Sequence, residues 1–215
     1  MTVIPSILVQ TENDFIREIS SVQDILNLVQ IDIADGKFVP QTTWTDPDVI
    51  QKHLKIECEL HLMVADPLKE LKRWQKVEQV VRILVHYESV PDFKAILPTL
   101  HAYGWEIGIV LNPDTPIDAI MPFVNDIKSV MFMGVNPGKQ GQKLIPEVLT
   151  KIKKFSTLYP DMFTELDGAV NEETLPEIIK SGVKAICPGS AVFKNGRTAK
   201  ENIQSMEKII LQLKG

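Results

Sequence analysis

Short runs of β-branched and aliphatic residues alternate with longer amphipathic stretches along the whole chain. The runs near 3–8, 27–33, 57–63, 79–86, 106–111, 128–135, 162–167 and 183–188 have the length and composition of strands. Between them, apolar residues recur at helical spacing near 12–20, 46–54, 66–75, 91–103, 115–123, 144–157, 172–180 and 198–213. The alternation makes about eight βα units, each long enough for a helix to return antiparallel over its strand. Several strands, such as Ile107 to Leu111, are apolar throughout, as parallel strands covered on both faces must be. An open doubly wound sheet would suit the alternation, but the strand count and the length of 215 residues favour closure. The expected architecture is an α/β fold, a single (β/α)₈ TIM barrel, with one domain over 1–215.

Composition narrows the function classes. The net charge of −5 is spread over interspersed acids and bases, with no basic block to bind nucleic acid. No apolar run approaches the roughly 20 residues that cross a bilayer, so no membrane partner is expected. The start, Met1-Thr2-Val3-Ile4-Pro5, lacks the basic head and apolar stretch of a secretory leader. Cys58 and Cys187 lie far apart in apolar surroundings, which predicts buried free thiols rather than a disulfide. A reducing cytoplasm is the expected address.

In such a barrel, chemistry sits where strands end and βα loops begin. Unusual residues keep falling at that edge. Ser6 lies near the end of the first strand. Gln30 and Asp32 share one face of the second by their i, i+2 spacing, and His61 and Met63 share a face of the third. His86 ends the fourth, Met131 and Met133 share a face of the sixth, and Asp167 ends the seventh just before Gly168. A bare carboxylate among β-branched neighbours costs several kcal/mol to bury, so it must be paired, liganded or catalytic. Each residue also has a plain structural reading: a turn-forming Asp, a satisfied core histidine, a packing methionine. Convergence of two carboxylates and a histidine from three strands favours the functional one. Cys58 and His61 have a C-x-x-H spacing, but an odd offset on a strand points them to opposite faces, which rules out a shared zinc.

Two late Gly-containing stretches suggest a phosphate cradle. One runs from Asn136 through Gly138, Lys139, Gln140 and Gly141 to Gln142; the other is Gly189-Ser190 at the start of a short helix. Backbone N–H groups at a helix start bind anions, and the loops after the last strands are a recurrent phosphate site in this fold. Gly138-Lys139 is no Walker loop, since neither Ser nor Thr follows the lysine. Ordinary turns would explain either stretch alone.

Taken together in this order, the residues resemble the ribulose-phosphate 3-epimerase family along essentially the whole chain. The likeness is carried by Pro5-Ser6-Ile7-Leu8, by Asp32-Ile33-Ala34-Asp35-Gly36-Lys37-Phe38-Val39-Pro40 and by His61-Leu62-Met63. It continues in Met133-Gly134-Val135-Asn136-Pro137-Gly138 with Gly141-Gln142, in Asp167-Gly168 and in Gly189-Ser190-Ala191-Val192-Phe193. The resemblance implies inversion of C3 of a ketose phosphate, with D-ribulose 5-phosphate and D-xylulose 5-phosphate as the expected pair. It implies Asp32 and Asp167 as acid and base, and Asp32, His61 and Asp167 as ligands of a divalent metal of zinc, iron, manganese or cobalt type. It implies substrate contacts from Ser6, His61, Met63, Met133, Gly138, Gly141, Gln142, Gly168, Gly189 and Ser190, and a homo-oligomer as the assembly.

The chain also departs from the family's pattern. Gln30 stands where the family has a metal-binding histidine, and a neutral amide oxygen is the weaker ligand for zinc-like ions. The expectation is a metal that is weakly held or absent. Ala34 replaces a methionine, Gln140 a glycine of the phosphate loop, and Ala169 another glycine. Two further readings follow: 3-epimerisation of a ketohexose 6-phosphate such as allulose 6-phosphate, and a non-catalytic phosphosugar binder. Retention of both Asp32 and Asp167 speaks against the binder.

Overall fold

The computed structural model describes residues 1–138 and 142–214, the Lys214 side chain excepted. Lys139, Gln140 and Gly141 thus lie outside the described residues. Among the described residues, nine parallel strands form one sheet: β1 (Thr2–Val3), β2 (Ser6–Ile7), β3 (Leu28–Ala34), β4 (Glu57–Met63), β5 (Val80–His86), β6 (Glu106–Leu111), β7 (Ser129–Met133), β8 (Phe163–Asp167) and β9 (Ala185–Cys187). They run in the order β1-β9-β8-β7-β6-β5-β4-β3-β2. β1 pairs with β9 and β2 with β3, so the sheet closes on itself through two halves of one strand. Pro5, which has no N–H, separates the halves. The ladder continues around it: Ile4 N–H donates to Ile186 O at 2.9 Å, and Gln30 N–H donates to Pro5 O at 3.0 Å. The expected run 3–8 is therefore one barrel strand broken at its proline, and the TIM barrel has eight strand positions.

The helices are α1 (Glu12–Val22), α2 (Pro47–His53), α3 (Pro67–Trp74), α4 (Phe93–Ala102), α5 (Pro146–Leu158), α6 (Leu175–Lys180), α7 (Ser190–Phe193) and α8 (Ala199–Lys214). Their starts are written in the chain. Thr11, Asp46, Asp66 and Asp92 each accept a backbone N–H of the first turn, and Pro47 and Pro67 occupy the position where no N–H is needed. The helix expected over 115–123 is instead two 3₁₀ turns, Ile117–Ala119 and Met121–Phe123. Pro122 interrupts an α-helical ladder there, while buried Ile117 and Ile120 still pin the segment to the barrel. α6 starts at Leu175 rather than near 172; residues 172–174 form a turn opened by Asn171, whose Oδ1 accepts the N–H groups of Glu173 and Thr174.

Strand alternation divides the interior in two. Val29, Ile31 and Ile33 of β3 and Cys58, Leu60 and Leu62 of β4 face the helices, in the main core. Burial of each such side chain contributes about 1.5–3 kcal/mol. The residues between them fill the lumen, where Ile4, Leu84, Val110, Met131, Ala185 and Cys187 pack together. At Gly108 a Cβ would lie 2.3 Å from Ser129 Oγ and 2.5 Å from the Leu84 side chain, so the lumen is packed and not a channel. Cys58 and His61 do face apart, and both cysteines are free and buried. Among the described residues, no helix is long and apolar enough to cross a membrane.

Candidate active site

Alternation brings Gln30 and Asp32 from β3, His61 and Met63 from β4, His86 from β5, Met133 from β7 and Asp167 from β8 to the upper lumen. Asp32 lies opposite His61 in the β3–β4 register. Asp167 arrives from β8, separated from β3 by β9 and the split first strand. The two carboxylates thus approach one cluster from different sides of the barrel.

Gln30 Nε2 stands at the centre of that cluster. It donates to Asp32 Oδ1 at 2.7 Å and to Asp167 Oδ2 at 2.9 Å, and lies 3.2 Å from His61 Nδ1. His61 Nδ1 is in turn 2.8 Å from Asp32 Oδ1 and 3.2 Å from Asp167 Oδ2. The amide orientation follows from charge, since turning it over would set its oxygen against two carboxylates. Gln30 Oε1, on the other side, is buried with no hydrogen-bond partner among the described residues.

Burial raises the proton affinity of Asp32, and the negative charge of Asp167 adds to it; hydrogen bonds from His61 and Gln30 oppose both. For His61, burial acts against the charged form. The hydrogen bonds and charges of Asp167 and Asp32 outweigh it and lift the ring to about 10. The cluster therefore holds positive charge on His61 when nothing else supplies it.

The ligand atoms of Asp32, His61 and Asp167 all lie within 4.8 Å of one another, so these residues could hold a metal ion. Two carboxylates and an imidazole suit a divalent cation of zinc, manganese, iron or cobalt type. The fourth neighbour fits less well. An amide nitrogen has no lone pair to give, so Gln30 would meet a cation only through Oε1. That needs the carboxamide to turn over and release both carboxylates.

Above the cluster opens a cavity of about 800 Å³. Ser6, Asp32, Met63, Met133, Gly138, Gln142, Asp167, Gly168, Gly189 and Ser190 line it. His61 and Gln30 do not; both are fully buried behind the carboxylates. Gly141 lies outside the described residues. Gly189 lies close against β2: a Cβ there would come 2.9 Å from Ser6 Oγ and 3.3 Å from the Ser6 carbonyl oxygen. Gly168 has φ +95° and is followed by Ala169 at φ +56°, a left-handed alanine.

Sequence reasoning left out several polar residues of the lumen. Beneath the site, Arg82 Nη1 donates to Glu59 Oε2 at 2.8 Å and to Glu165 Oε1 at 3.3 Å. Its Nε and Nη2 reach Glu106 Oε2 at 3.0 and 2.9 Å. Glu59 and Glu165 each precede a site residue by two on the same strand, so the period that exposed His61 and Asp167 could have exposed them as well. His86 and Glu88 lie on the far side of His61.

A sequence model of the Ribulose-phosphate 3 epimerase family matches residues 2–193. The curated ribulose-phosphate 3-epimerase of Bacillus subtilis is 32% identical over 203 residues, covering 89% of this chain and 91% of that protein. That of Helicobacter pylori is 29% identical over 215 residues, covering 96% and 98%. Among solved structures, 3-hexulose-6-phosphate synthase from Salmonella typhimurium matches with a TM-score of 0.73 over 99% of this chain and 100% of the other, at 12% identity. Orotidine 5'-monophosphate decarboxylase from Sulfolobus solfataricus matches with a TM-score of 0.68 over 99% of both chains, also at 12% identity. At that identity the two structures speak for the fold alone.

Proposed function

The chain belongs to the ribulose-phosphate 3-epimerase family, whose members are isomerases, and on that footing we propose that it interconverts D-ribulose 5-phosphate and D-xylulose 5-phosphate through Asp32 and Asp167. The supporting observation is that these two carboxylates come from non-adjacent strands, share one amide donor and both face the cavity.

A hydrogen alpha to a ketone is too weakly acidic for a carboxylate unless the resulting enediolate is stabilised. In this reading one aspartate enters ionised and takes the C3 proton. The other enters protonated and delivers its proton to the opposite face of C3. The pair then holds its single proton on the other residue, and the reverse reaction or exchange with water restores it. The raised proton affinity of Asp32 suits it to enter as the acid in one direction. Gln30 holds the spacing of the pair, and His61 lends positive charge from below. A divalent cation held by Asp32, His61 and Asp167, with His61 then neutral, would supply that positive charge in place of the imidazolium. The phosphate belongs at the end of the cavity bordered by Gly138, Gly168, Gly189 and Ser190, where backbone N–H groups rather than side chains meet it.

We take the pentulose over a hexulose as the substrate: Ala34 packs with Val39 and Met63, and Leu8 and Phe38 pack against them, so apolar side chains crowd this position. The test is a coupled assay with D-ribulose 5-phosphate and D-allulose 6-phosphate, run after chelation and with each divalent metal added. Turnover of the pentulose with solvent hydrogen entering at C3 is expected. Binding of both sugars with no exchange at C3 under any metal would replace the enzyme reading by the phosphosugar binder.

A further inference from the structure

Behind His61 runs a second line of buried polar groups that the proton transfers do not use. His61 Nε2 meets His86 Nε2 at 2.9 Å. The ring centroids are 5.1 Å apart and the planes 25° from parallel, an end-on meeting with one hydrogen between two nitrogens. His86 Nδ1 faces Glu88 Oε2 at 3.4 Å. That is long for a hydrogen bond, yet Nδ1 has no other partner among the described residues. Glu88 is fixed from the other side, where Oε1 accepts from the Asn112 N–H at 2.9 Å and from the Thr115 hydroxyl. Lys151 Nζ donates to the carbonyls of Asn112, Pro113 and Thr115, which holds that loop in place.

We propose that Glu88, acting through His86, sets the tautomer of His61 so that Nδ1 is the ring nitrogen left to serve Asp32, Asp167 and a bound cation. The proposal rests on His61 being part of the active site. It follows from counting hydrogens. A carboxylate only accepts, so the His86 nitrogen that faces Glu88 carries a hydrogen. His86 is fully buried and faces a single carboxylate at 3.4 Å, whereas His61 Nδ1 lies 2.8 and 3.2 Å from two, so positive charge in the pair of rings belongs on His61 and His86 is neutral. A neutral ring with Nδ1–H has a bare Nε2. The hydrogen in the 2.9 Å contact therefore belongs to His61 Nε2. Charged His61 then donates from Nδ1 to Asp32, and neutral His61 offers the Nδ1 lone pair. Either way Nε2 keeps its hydrogen and only Nδ1 changes. Glu88 touches none of the reacting groups, so it is a positioning residue.

Glu88→Gln should invert the relay. The Asn112 N–H must still be accepted, which turns the new amide oxygen to that side and its NH₂ toward His86 Nδ1. His86 would then carry Nε2–H and His61 would carry Nδ1–H, blocking the nitrogen that should stay available. Glu88→Ala removes the bias without reversing it. The experiment uses metal-free full-length protein labelled with ¹⁵N-histidine, reading the protonation of each ring nitrogen by long-range ¹H–¹⁵N correlation. A zinc titration by calorimetry follows. We expect His61 Nε2–H in the parent, its loss in Glu88→Gln with zinc affinity lower by roughly 10–100-fold, and mixed tautomers in Glu88→Ala. Retention of the parental His61 tautomer in either variant overturns the proposal. Inversion as described in a protein without epimerase activity would uphold the relay and remove the functional reading instead.

Discussion

Two buried clusters lie one above the other in the lumen, each built from two carboxylates and a nitrogen base. Asp32, Asp167 and His61 form the upper one; Glu59, Glu165 and Arg82 form the lower. They use the same strands, since Glu59 sits two residues before His61 on β4 and Glu165 two before Asp167 on β8. The base differs. Arginine stays charged and forks across both glutamates and Glu106, so the lower cluster has one arrangement. Histidine can gain and lose a proton, and its aspartates open onto the cavity, so the upper cluster can exchange protons with a substrate. Like sets of groups are thus fixed as an anchor at one level and, in the proposed function, free to move protons at the next.

The sharpest way to break that comparison is to neutralise the upper pair. Asp32→Asn and Asp167→Asn should each lower turnover by about 10²–10⁴-fold, the contribution of a positioned proton carrier. Melting temperatures should stay level or rise, because each substitution removes one of two neighbouring buried negative charges. Steady-state kinetics beside thermal melts decides it, and near-parental turnover in either variant removes that residue from the mechanism. The two should also differ in which epimer still exchanges its C3 hydrogen with solvent.

The lower cluster should answer in stability. Arg82→Met leaves two buried carboxylates without their cation and should cost about 3–5 kcal/mol. Glu59 sharpens the point. Burial and the charge of Glu165, against the pull of Arg82, raise it well above its ordinary 4.5. A carboxyl that binds its proton more tightly folded than unfolded makes stability fall as pH rises past 4.5, up to the folded value. Glu59→Gln mimics the protonated acid, so it should gain stability over the parent as pH rises and match it below that window. Denaturant melts from pH 4 to 8 measure the difference. A flat difference would show that Glu59 is ionised in the folded protein.

The contrast explains what was legible in the chain. Period-two alternation is strong where polar residues interrupt β-branched runs, so Gln30, Asp32, His61 and Asp167 stood out in sequence. The same period pointed at Glu59 and Glu165, but charge near a strand's start reads as a solvated end unless closure of the barrel is taken into account. Arg82 reads the same way. Glu88 had no signal, since it lies in a 3₁₀ turn, Tyr87–Ser89, where no periodicity links it to His86. The break at Pro5 and the loss of a helix over 115–123 depend on single prolines, which a hydrophobic pattern averages away.

Gln30 joins the two halves of the upper cluster, and a smaller effect should follow from replacing it. Gln30→His exchanges an amide that faces the carboxylates with its nitrogen for an imidazole able to coordinate. Zinc or manganese affinity should rise on the order of 10–100-fold, the scale on which even groups outside the ligand shell act. The parent should lose its metal on dialysis, and the variant should retain it. Elemental analysis and calorimetric titration read this without reference to turnover. A parent that already holds one metal tightly, and gains nothing from the histidine, would show that the Gln30 carboxamide turns over at little cost.

The smallest expected effect tests whether the mouth of the barrel gives up stability that the floor keeps. Ala169 follows Asp167-Gly168 with φ +56°, and Thr174 Oγ1 donates to its carbonyl at 2.7 Å, holding the turn in place. A left-handed L-residue costs about 1–2 kcal/mol. Glycine removes that strain but gains freedom in the unfolded chain, which takes back about 0.4–1 kcal/mol. Ala169→Gly should therefore stabilise the protein by about 0.5–1 kcal/mol, a rise of about 1–4 °C for a chain of this size. The carboxylates are untouched, so kcat should hold, and any change should fall on KM for the phosphorylated sugar, whose anion end the proposed function sets beside this turn. A lower melting temperature would mean that the alanine methyl group contributes more packing than its backbone costs. Strain at the mouth would then no longer distinguish it from the anchored cluster below.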